Sequence, residues 1–121
     1  MPDRLDLPPG EAIELAQRYL DSTKPFHAHE VLEALWKERP AGERDLWQGL
    51  AQLAVGLTHL LRGNRKGAAA LLRRGAVRIA AYTGDPHGIA VGQVVASATA
   101  LAAEIEAAHD VGAEALRLRL R

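Results

Sequence analysis

Cysteine is absent from the 121 residues. Disulfides, thiolate metal ligands and cysteine nucleophiles are therefore excluded. Aromatic residues are scarce at 4%: two Trp, two Tyr and one Phe. A nucleic-acid surface that stacks bases has little to be built from. Long apolar runs are lacking too. The charge-free stretches 46–61 and 86–103 hold Gly, Gln, Ser or Thr and fall short of the roughly 18 continuous apolar residues of a membrane span. They read as buried helices, and no membrane association is expected. The opening Met1-Pro2-Asp3-Arg4 has no apolar segment of the kind a secretory signal carries. A cytoplasmic location is the expectation.

What is present is ordinary for a globular chain: 48% hydrophobic and 25% charged residues, enough for one domain with a real core. The net charge is zero but unevenly spread. Residues 1–60 hold 6 Lys/Arg against 10 Asp/Glu, and residues 61–121 hold 9 against 5. The densest basic run is Arg62, Arg65, Lys66, Arg73, Arg74 and Arg78. No aromatic interleaves it, so a solvated helix face is favoured over nucleic-acid binding. The opposite charges of the two halves suit a homodimer.

Turn chemistry divides the chain. Residues 1–9 read as a flexible arm, and Pro8-Pro9-Gly10 opens a first helix over about 10–21. Asp21-Ser22-Thr23-Lys24-Pro25 breaks it, because the residue before proline is pushed out of the α region. A second helix runs over about 26–38 and ends at Arg39-Pro40-Ala41-Gly42. A third spans about 43–62, ending at Arg62-Gly63-Asn64. A fourth covers about 65–82, and Thr83-Gly84-Asp85-Pro86 separates it from a fifth at about 87–108. The tail 111–121 reads as a helical turn or two, frayed or loose. Its Leu116-Arg117-Leu118-Arg119-Leu120-Arg121 alternation is strand-like, which leaves open a β arm or a membrane-touching tail.

The third helix is the expected centre. Leu46, Leu50, Leu53, Leu57, Leu60 and Leu61 cover one face at about 100° per residue, and Trp47, Ala51 and Ala54 extend it. Gly49 and Gly56 lie together where a neighbour could come close. Gln48, Gln52 and His59 form a narrow polar stripe opposite the leucines. Buried amides and imidazoles need hydrogen-bond partners, so something polar should face them.

The second helix offers such a partner. In Phe26-His27-Ala28-His29-Glu30-Val31-Leu32-Glu33-Ala34-Leu35-Trp36, the residues His29, Glu33 and Trp36 share a face at i, i+4 and i+7. The stripe borders the apolar face of Ala28, Leu32 and Leu35. A short turn makes the second and third helices antiparallel neighbours. Counting back from it sets His29 opposite Gln52 and Glu33 opposite Gln48.

Imidazole and carboxylate groups both ligate metals, so His29 and Glu33 are candidate ligands for a divalent ion such as zinc, manganese or nickel. His27, Glu30 or His59 could complete the set. Alternatively, Glu33 orients His29 as a general base toward a small ligand, with Trp36, Gln48, Gln52 and Phe26 lining the site. The bland alternative is a satisfied core histidine that fixes helix register.

These residues also carry a resemblance. The His29-x3-Glu33-x2-Trp36 pattern, then Gln48-Gly49-Leu50-Ala51-Gln52-Leu53-Ala54, His59 and Arg62-Gly63-Asn64-Arg65-Lys66-Gly67-Ala68, resembles the bacterial and archaeal family called domain of unknown function 309. It covers roughly residues 22–82. The resemblance implies an all-helical fold with no assigned activity, and a His29/Glu33/Trp36 motif suggested to be functional. The 60–68 turn also looks like that of a tetratricopeptide-type helix pair, so a metal-free interaction module is the alternative function. The expectation is thus an all-α, compact single-domain bundle of about five helices over 10–110, with its site at His29 and Glu33.

Overall fold

A computed structural model describes residues 7–83 and 87–121. Five α-helices follow in order: α1 Pro9–Asp21, α2 Pro25–Glu38, α3 Arg44–Leu61, α4 Arg65–Ala80 and α5 Val91–Glu106. Short 3-10 turns occupy Ala41–Glu43 and Ala113–Leu116, and no strand occurs among the described residues. The arm expected at 1–9 lies outside the described residues up to 6. Leu7 packs against the core, and Pro9 already begins α1.

The helix starts follow from their residues. Proline occupies the first turn of α1 and α2, where its missing N–H is no loss. Asn64 caps α4, its Oδ1 accepting from Gly67 N at 3.0 Å. Gly63 before it has φ +84°, a left-handed value that suits glycine. α5 starts later than expected, because His87 and Gly88 take positive φ values of 52° and 80° in a turn. Of the break anticipated at 83–86, residues 84–86 lie outside the described part.

Each helix packs on the next, α1 on α2 through to α4 on α5. The leucine face of α3 is the floor of the core, with Leu46, Leu50, Leu53 and Leu57 fully buried. Leu60 is only half-buried and Leu61 is exposed, so the face ends one turn earlier than the wheel suggested. α3 and α4 approach closely through glycines. A Cβ on Gly49 would stand 3.0 Å from Gly75 O, and one on Gly56 3.2 Å from Ala68 O. Gly49 and Gly56 thus mark the close-packed face, as their shared wheel position implied.

The tail is the main departure from expectation. It is neither frayed helix nor loose arm. After the 3-10 turn, residues 117–121 carry no regular element, yet Leu116, Leu118 and Leu120 are buried while the intervening arginines are exposed. The period of two was therefore structural, but no strand pairs with it. Gln17 of α1 takes that place: its Nε2 donates to Leu118 O at 3.0 Å, and its Oε1 accepts from Leu120 N at 2.8 Å. Arg119–Asp21 at 3.4 Å and Arg121–Glu14 at 3.0 Å add ion pairs at the surface.

Candidate functional site

One helix supplies the centre of the site. In α2, His29 Nε2 lies 3.0 Å from Glu33 Oε2, the i, i+4 contact that helical spacing implies. Lys37 Nζ approaches the other oxygen of Glu33 at 3.7 Å, so the carboxylate sits between two cationic partners one turn apart. His29 is 22% exposed and Glu33 36%, at the rim of the core rather than in it. The Phe26 ring packs against His29 with centroids 5.8 Å apart, and Arg62 from the end of α3 lies over its far side.

A carboxylate only accepts hydrogen bonds, so Nε2 of His29 carries the proton it donates to Glu33. In the neutral ring this leaves Nδ1 as a lone-pair acceptor. That atom is buried and has no partner. The same holds for Trp36 Nε1, a donor two turns along the stripe, and for Gln52 Oε1 on α3. Buried polar atoms without partners are rare, because each costs about 1–3 kcal/mol. Both outer members of the stripe therefore carry unused hydrogen-bonding capacity.

The other candidate residues are placed elsewhere. Gln48 does not turn to Glu33; its Oε1 accepts from Arg78 Nη1 of α4 at 3.1 Å, so the polar stripe of α3 borders α4. Gln52 lines a groove on that side, together with Arg74 and Val77. The wheel found the stripe but could not say which neighbour it faced. His27 is exposed and packs on the Tyr19 ring of α1 at 5.2 Å. Glu30 is half-buried beside His29 in sequence. His59 Nδ1 pairs with Asn64 Nδ2 at 3.2 Å at the α3–α4 turn. Among the described residues no three His, Asp or Glu side chains are grouped as metal ligands would be.

A second polar cluster was not foreseen. Glu43 accepts from Arg39 through both oxygens at 3.0 Å, from Trp47 Nε1 at 3.0 Å and from His87 Nε2 at 3.0 Å. The Arg39 hydrogen bonds, reinforced by those from Trp47 and His87, hold its carboxyl down at about 2. The i, i+4 spacings of Arg39, Glu43 and Trp47 were the available signal. Trp47 read as purely apolar, and nothing in sequence linked it to His87, whose ring lies 5.4 Å away.

With the geometry of α2 and α3 in place, similarity to other proteins can be weighed. Residues 13–71 match the family described as Domain of unknown function (DUF309). The family resemblance is thereby shown. The match starts within α1 and stops within α4, so it takes in the whole of the α2–α3 pair. The chain is also similar to the Uncharacterized protein YpuF of Bacillus subtilis (strain 168), with 44% identity over 62 residues. That alignment takes in 45% of this chain and 36% of the relative, so the chain spans about a third of that relative's length. No solved structure gives a significant match.

Proposed function

We propose that the His29–Glu33–Trp36 face of α2 is a binding site for a small polar ligand, with His29 Nδ1 as its proton-accepting centre. Glu33 fixes the ring and its tautomer. Nδ1 then takes a hydrogen from the ligand, and Trp36 Nε1 donates to a ligand oxygen or nitrogen. Such a ligand carries a hydroxyl or N–H at one end and an acceptor at the other. The observation that carries this reading is the pair of buried, partnerless polar atoms on one helix face beside an oriented histidine. A carboxylate-held imidazole is also a proton acceptor suited to general-base work, which the reading allows without naming a reaction.

A divalent metal is the other form the site could take. His29 Nδ1 fits as one ligand, but Glu33 is engaged with Nε2 and with Lys37. The remaining donors would come from water or from a second chain. Small-molecule binding needs no such supplement and is preferred.

The test is a fragment titration followed by NMR of the histidine ring and indole nitrogens, run beside calorimetric titration with zinc, manganese and nickel. Hydroxyl- and amide-bearing fragments are expected to move His29 Nδ1 and Trp36 Nε1 together, and His29→Ala to abolish the effect without unfolding. Failure of every fragment to move either signal sinks the reading. Stoichiometric metal binding lost in both His29→Ala and Glu33→Ala would replace it with a metal site.

A metal-free helical interaction module is the second reading. The chain-order pairing of antiparallel helices supports it, since such stacks offer grooves between neighbours.

A further inference from the structure

The groove between α3 and α4 carries features that fit one class of partner. It measures about 480 Å³ and is lined by Asp45 and Gln52 of α3 with Arg73, Arg74, Val77 and Arg78 of α4. Val77 is 72% exposed, an unusual state for a large apolar residue in mid-helix. Three arginines face the single acid Asp45, which Arg78 already matches at 3.3 Å. Arg73 is paired with Glu106 at 2.6 Å, whereas Arg74 has no ion pair or hydrogen bond among the described residues. The buried Oε1 of Gln52 requires a donor.

We propose that this groove docks an acidic peptide segment of a partner protein, anchored by an apolar side chain on Val77. A peptide supplies all three complements at once. Its carboxylates meet Arg74 and the flanking arginines, its apolar side chain covers Val77, and a backbone N–H reaches Gln52 Oε1. A free small anion lacks the apolar anchor. A nucleic acid lacks it too, and the groove offers no aromatic ring for base stacking. A second copy docked face to face would set the arginines of both chains against each other. This inference extends the interaction-module reading and is independent of His29.

The experiment is an NMR titration of the full chain with a blocked synthetic peptide in which two leucines are flanked by glutamates. Its lysine-for-glutamate counterpart and free glutamate are run in parallel. Saturable shifts are expected at Val77 and the Gln52 side-chain amide, with a dissociation constant of about 0.1 mM that weakens several-fold at high salt. Val77→Asp and Arg74→Glu, both at exposed positions, should each weaken binding about tenfold, with parent-like spectra otherwise. His29→Ala should leave binding unchanged, so this inference and the α2 reading fail separately. Equal binding of the lysine peptide, shifts untouched by both variants, or no saturable shift overturns the proposal. So does a change of sedimentation state in Val77→Asp, which would assign the groove to a second copy.

Discussion

Replacing Gly75 by alanine should destabilise the protein, although the same change in an open helix stabilises. A Cβ at Gly75 would stand 2.7 Å from Leu53 Cδ2 and 2.8 Å from Gly49 O. Leu53 could rotate away, but Gly49 O is main chain of α3 and cannot. α4 must therefore back off, and the contacts of Leu72 with Gly56 and of Ile79 with Gly49 loosen with it. Overpacking of this kind costs about 1–3 kcal/mol, set against about 1 kcal/mol gained from alanine's better helix propensity. The net expectation is a loss of about 1–2 kcal/mol. Gly92→Ala in α5 is the control, because a Cβ there meets nothing within 4 Å. It should be neutral or stabilising by up to about 1 kcal/mol. In urea the two variants should differ by about 1 M in midpoint. A Gly75→Ala midpoint at or above the parent's would refute the close-packed α3–α4 crossing.

Four further outcomes follow from the same contacts. Glu43, pulled from 4.5 to about 2, stabilises the fold above its unfolded pKa and loses that contribution as pH falls from about 4.5 toward 2. The loss should be on the order of 2 kcal/mol in acid titrations of stability, and Glu43→Gln should flatten that limb. Trp36→Phe removes a buried donor without a partner and should hold or raise stability by about 1 kcal/mol while abolishing ligand-induced shifts at His29; clear destabilisation would show that Nε1 is satisfied. Gln17→Leu strands Leu118 O and Leu120 N–H, and should cost about 2–3 kcal/mol and speed hydrogen exchange at Leu120. Asn64→Ala removes the α4 cap and should cost about 1 kcal/mol, read from thermal unfolding.

Much of the fold was legible because local rules governed it. Prolines 8, 9 and 25 and glycines 63 and 88 punctuate helices by fixing φ, and their effect needs no tertiary knowledge. The His29–Glu33 contact was legible for the same reason, since both residues lie on one helix. What lay between helices was harder. The wheel put Gln48 and Gln52 on one stripe of α3, yet a stripe does not say whether α2 or α4 covers it, and α4 did. His87 meets Glu43 across 44 residues, and no local pattern encodes that meeting. In the tail, alternation was visible, but period two usually means a pairing strand. The main-chain partner proved to be a side-chain amide far upstream.

That tail has a kinetic meaning. Helices that pack only on their chain neighbours can form and melt piecemeal, from either end. The contacts of Gln17 with Leu118 and Leu120 span 101 and 103 residues and join the first helix to the last segment. Such closures are slow to form, because the whole intervening chain must be ordered first. Once made, they forbid either end to fray alone. α1 and residues 116–121 should therefore exchange their amides as one unit, opening near the global unfolding limit rather than as loose termini.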